Sequence, residues 1–102
     1  MTLKDHEKSA IKRALVDALS RENEVRRIVI FGSFLSSDNP NDMDIAVFQD
    51  SQENYLPLAL RYRKDVRSVS SRIPVDIVPL KIGIRDDPFV EQVEKGETIY
   101  ER

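Results

Sequence analysis

Three aspartates and a Gly-Ser pair are the residues of this 102-residue chain whose types and spacing could do chemistry. Asp42 and Asp44 stand two apart at the start of an apolar run, Ile45 to Phe48. On a strand, side chains at i and i+2 point to the same face. Two like charges held side by side at a strand mouth repel, and a divalent cation is the usual remedy. Gly32 and Ser33 end an earlier apolar run, Ile28 to Phe31, at the point where a strand gives way to a helical turn. Backbone N–H groups at such a turn can receive an anion. Asp76 lies in a third apolar stretch, between Val75 and Ile77. Acids that hold metal, facing a cradle for phosphate, make a site that handles nucleotides.

The elements that must bring these residues together can be read from periodicity. Ile11, Ala14, Leu15, Ala18 and Leu19 form one stripe of an amphipathic helix expected over about 3–22, with Lys8, Lys12, Arg13 and Asp17 elsewhere on its surface. Strands are expected over 25–31, 43–48 and 75–80. Residues 33–37 read as a single turn and 38–41 as a loop. A second amphipathic helix is expected over about 54–72, capped by Asn54, with Pro57 in its first turn and Ala59, Tyr62, Val66, Val69 and Ile73 facing inward. Asp87 then reads as an N-cap before Pro88, Gly96 as the helix stop, and Phe89, Val90 and Val93 as core. Thr98, Ile99 and Tyr100 add a short last strand. The order predicts an α/β (α+β) fold, a small mixed sheet with helices packed on it. The long helix makes strands two and three parallel by a right-handed crossover. The short link between strands one and two makes those antiparallel. Topology then gathers Gly32, Ser33, Asp42, Asp44 and Asp76 at one edge.

Composition narrows the class. One domain, residues 1–102, is expected from the length. The formal net charge is −2, so no basic bias points to nucleic acid. Without cysteine there is no disulfide, thiolate metal site or cysteine nucleophile. A charged N-terminus and the lack of any long apolar run argue for no membrane partner and a cytoplasmic protein. Bland readings cover the remaining polar groups. Arg61, Arg63, Lys64, Arg67 and Arg72 read as the solvated face of a helix, His6 as exposed, and Tyr55, Tyr62 and Tyr100 as packing residues.

Gly32-Ser33, a spacer, Asp42-Met43-Asp44 and then Asp76 resemble the pattern of the nucleotidyltransferase superfamily that includes DNA polymerase beta. The closing segment 89–100 (FVEQVEKGETIY) resembles the helix-Gly-strand ending of its minimal members. The resemblance implies the polymerase beta-like palm fold and an Mg²⁺-dependent enzyme. It gives Gly32 and Ser33 the β- and γ-phosphates of a nucleoside triphosphate, most simply ATP. Asp42, Asp44 and Asp76 become metal ligands for two Mg²⁺ ions and the catalytic acids. Minimal members commonly pair with a small helical HEPN protein in toxin–antitoxin modules, which implies AMP transfer onto a hydroxyl of that partner. Two alternatives stand beside it: a module that neutralises its partner by contact, and transfer to a small molecule such as an aminoglycoside in a homo-oligomeric cleft. The spacer of eight residues is short for the family, and Phe34-Leu35-Ser36-Ser37 lacks the basic residue and glycine usual after the serine. Modest nucleotide affinity is the expected consequence.

Overall fold

The computed structural model describes residues 4–102, so residue 3, where the first helix was expected to begin, lies outside the described residues. The elements are α1 (Asp5–Leu19), β1 (Val25–Phe31), β2 (Met43–Gln49), α2 (Tyr55–Asp65), α3 (Arg67–Ser70), β3 (Val75–Lys81), α4 (Pro88–Glu94) and β4 (Glu97–Glu101). The sheet order is β3-β2-β1-β4. β1 pairs antiparallel with β2 and with β4, while β2 and β3 are parallel, as the connection lengths required.

Strand alternation gives the sheet two unequal faces. Ile28, Ile30, Met43, Ile45, Val47 and Ile77 turn toward α1, α2 and α3, where Leu15, Leu58, Tyr62 and Val69 complete the main core. Val29, Ala46 and Phe48 turn the other way and meet only α4, through Val90 and Val93. This second face is therefore only partly roofed. Residues one step out of phase with Met43, Ile45 and Ile77 emerge on it, and these include Asp44 and Asp76.

Three local expectations are corrected. The single helix expected over 54–72 is two, because Val66 (φ −99°, ψ 16°) leaves helical geometry and α3 restarts beyond it. Asn54 occupies the N-cap position, but its side chain makes no capping bond. Phe89 is exposed rather than core, and its ring meets the edge of Phe31 with centroids 5.8 Å apart. Asp87 caps α4 as expected, accepting bonds from the Phe89 and Val90 N–H groups at 2.8 and 3.3 Å. Gly96 follows the C-cap Lys95, and its reason for being glycine is contact: a Cβ there would overlap the Ile30 carbonyl oxygen.

Candidate active site

Gly32 leaves β1 with φ +82°, a conformation that glycine adopts without a Cβ penalty. The backbone there runs against Asp44, so that a Cβ on Gly32 would stand 2.8 Å from the Asp44 Oδ2. β1 brings Phe31 opposite Asp44, and β2 brings Asp44 opposite Asp76 in parallel register. Asp44 and Asp76 thus lie abreast on adjacent strands, with Gly32 just beyond the end of β1. Asp42 sits two residues before Asp44, where a bond from Met43 N to the Pro74 carbonyl (2.9 Å) ties the entry of β2 to that of β3.

Beyond Gly32 the chain makes one helical turn. Leu35 N donates to Gly32 O at 3.3 Å, and Ser36 N and Ser37 N donate to Ser33 O at 3.2 and 2.9 Å. The N–H groups of Ser33 and Phe34 head this turn and have no acceptor within it. The Ser33 side is exposed, while Phe34 is sunk into the main core and anchors the turn. Sequence reasoning left Lys8 on the helix surface; the structure gives it a task. Its Nζ crosses from α1 to donate to the Phe34 and Ser37 carbonyls at 2.8 and 2.7 Å, and it lies 5.1 Å from the centre of the Phe34 ring. Lys8 braces the 33–37 turn, its ammonium committed to two carbonyls. Its signal in sequence was faint, a lysine at a helix position whose partner is set by tertiary packing.

The electrostatics of the edge are one-sided. Burial first, then the negative charges of Asp42 and of Asp76, push the Asp44 carboxyl above its ordinary range. No described Lys or Arg forms an ion pair with any of the three. The donor set is all carboxylate oxygen, which suits a hard divalent cation. It is not a closed cage: among the described residues, no three His, Cys, Asp or Glu side chains are grouped to hold an ion by themselves. Mg²⁺ is usually bound by one or two carboxylates, with substrate phosphates and water filling the rest. A hollow of about 260 Å³ flanks Gly32 on the α4 face. A larger one, about 430 Å³, lies at the other end of the sheet near Arg27, Phe48 and Ile84 and contains none of these residues.

The expected bystanders divide. Tyr62 is fully buried and Tyr100 half-buried, but Tyr55 is exposed. Arg61 is no solvated charge: it binds Glu22, Glu24 and Glu53 at 3.0, 2.8 and 2.7 Å. Tyr62 Oη donates to the same Glu24 at 2.6 Å. No helix among the described residues is long and apolar enough to cross a membrane.

The sequence matches the family described as polymerase beta nucleotidyltransferase over residues 13–102. No curated protein sequence matches. Among solved structures, the chain is similar to one in a complex of tri-AMPylated Shewanella oneidensis HEPN toxin with MNT antitoxin. The TM-score is 0.66 at 20% identity, over 93% of this chain and 73% of that one. A mutant MntA-HpeT toxin–antitoxin structure is similar at TM-score 0.66 and 19% identity, over 89% of this chain and 73% of that one.

Proposed function

From the premise that this chain belongs to the polymerase beta nucleotidyltransferase family, we propose that it is a single minimal domain that moves AMP from ATP onto a hydroxyl of a protein partner. The observation that carries this reading is the set of Asp42, Asp44 and Asp76, paired with no described Lys or Arg, beside the open turn at Gly32 and Ser33. Its partner would be a HEPN-type protein neutralised by the modification, in the manner of an antitoxin acting in the cytoplasm. Both solved complexes described above pair a toxin with an antitoxin, which supports that choice.

In this mechanism the Gly32–Ser33 turn receives the β- and γ-phosphates through the Ser33 and Phe34 N–H groups and the Ser33 hydroxyl. Gly32 brings that turn against Asp44, so phosphates bound at the turn would lie beside the Asp44 carboxylate. Mg²⁺ held by Asp42, Asp44 and Asp76 would supply charge stabilisation to both the entering and the leaving oxygen. Asp76, exposed at the rim, accepts the proton as the partner hydroxyl attacks. The new bond joins that oxygen to the α-phosphorus, the bond to the β-phosphate oxygen breaks, and pyrophosphate leaves.

A second reading is favoured by one fact: the 33–37 turn contains no basic residue, and Lys8 is committed to its carbonyls. On that reading the fold neutralises its partner by contact alone. One experiment separates the two. The chain is mixed with the HEPN-type partner, Mg²⁺ and ATP, and the partner is weighed by intact mass spectrometry. The enzyme reading expects AMP-sized gains that vanish in Asp42→Asn and Asp76→Asn. A tight complex whose partner gains no mass, and whose neutralisation survives both substitutions, would establish contact instead.

A further inference from the structure

The turn after Ser33 lacks a cation for the phosphates, yet a lysine from a distant part of the sequence is brought to the same place. The hollow flanking Gly32 is walled by Phe31, Gly32 and Leu35 on one side and by Gln92, Lys95 and Gly96 on the other. It opens on the α4 face of the sheet, the face on which Asp44 emerges. Lys95 is held there by backbone contact. Gly96 packs so closely on the Ile30 carbonyl and the Phe31 Cβ that no other residue fits, which fixes its neighbour Lys95 beside the exit of β1. Gly96 N also bonds Val93 O at 2.8 Å, locking the end of α4 to this position.

Lys95 is the cation that lines this hollow, and several others near the sheet are occupied. Lys12 pairs with Glu97, Arg26 with Asp50, Arg27 with Glu94, and Lys8 with two carbonyls. Lys95 is exposed, and among the described residues no carboxylate pairs with it. We propose that the hollow between Gly32 and Lys95 receives the terminal phosphates of the nucleoside triphosphate, with Lys95 as the cationic ligand that the 33–37 turn does not supply. The inference rests on the nucleotidyl-transfer reading and deepens it. The triphosphate then spans two poles, a carboxylate-and-metal pole at Asp44 and an ammonium pole at Lys95, with the Gly32 turn between them.

A lysine at a helix C-cap also has a plainer use, offsetting the negative end of the helix. That use would change melting temperature and leave anion binding alone, so affinity is the measurement. Calorimetric titration of the intact chain with Mg–ATP and with inorganic tripolyphosphate compares wild type, Lys95→Gln and Lys95→Arg. Loss of one charge-assisted bond weakens both ligands about tenfold in Lys95→Gln. Lys95→Arg keeps the charge and binds as wild type does, and AMP binding is equal in all three. Equal tripolyphosphate affinity in wild type and Lys95→Gln overturns the assignment of Lys95 while leaving the transfer reading intact. A wild type that binds neither Mg–ATP nor tripolyphosphate overturns both.

Discussion

Glu22, Glu24 and Glu53 converge on the guanidinium of Arg61, whereas Asp42, Asp44 and Asp76, neighbours along one sheet edge, pair with no described Lys or Arg. Both clusters hold three carboxylates, and both lie where strands meet helices or loops. They differ in who supplies the countercharge. Around Arg61 the chain supplies it, and Tyr62 adds a hydroxyl. Burial pulls the Glu24 carboxyl upward, but the bonds from Tyr62 and Arg61 outweigh that and hold it below its ordinary range. Burial and the Glu24 charge together raise the Tyr62 phenol, so it stays a donor. At the other cluster, burial and like charges leave Asp44 raised and unanswered. A compensated cluster holds the fold together. Under the proposed function, an uncompensated one waits for a cation from outside.

The sharpest way to break this contrast is to remove each cluster's central residue. Arg61→Met strips three carboxylates of their shared partner, and the partly exposed setting limits the loss to about 2 kcal/mol, read by urea unfolding. Asp44→Asn should move stability the other way, by less than Arg61→Met does, since it relieves burial of a charge and its repulsion by two others. If the proposed function holds, Mg²⁺ with ATP should raise the melting temperature of the wild type by mass action, and the same variant should lose that rise. If Asp44→Asn destabilised the fold as Arg61→Met does, the two clusters would be alike and the contrast would fail.

The smallest effect is one of pH, and it falls at the edge of the compensated cluster. Asp65 Oδ2 is buried without a donor among the fixed N–H and O–H groups of the described residues. A proton on Glu22 supplies one. The bond to Asp65, then burial, raise the Glu22 carboxyl from 4.5 to about 7, against the pull of Arg61. A raised acid binds its proton more tightly in the folded state, so its contribution is complete below about 4.5 and is lost as pH rises through about 7. Glu24, held low, has the opposite sign and acts only below its ordinary range. The urea midpoint should therefore fall modestly between pH 5 and pH 8, and Glu22→Gln should flatten that slope.

How much of this was legible in the sequence follows from which interactions are local. Strand alternation and linker length are local, and they placed Asp42, Asp44 and Asp76 on one edge with Gly32 beside them. The break at Val66 was not legible, since Ala59, Tyr62, Val66, Val69 and Ile73 keep one apolar stripe through it. Arg61 looked like its basic neighbours because Glu22, Glu24 and Glu53 reach it only after α2 packs on the sheet. Lys8 and Lys95 were hidden for the same reason. Lys8 lies 26 residues from the Phe34 carbonyl it binds, and Lys95 meets the Gly32 hollow only because β4 returns alongside β1.

The central claim is that an external cation belongs at one cluster and not at the other. Mn²⁺, which takes the same oxygen ligands as Mg²⁺, broadens NMR signals of nearby amides and can be titrated into the ¹⁵N-labelled chain with ATP present. The account predicts selective broadening at Gly32, Ser33, Asp42, Asp44 and Asp76, abolished by Asp44→Asn, with Glu22, Glu24, Glu53 and Arg61 untouched. Broadening centred on the Arg61 cluster, or spread evenly over both and indifferent to Asp44→Asn, would contradict it.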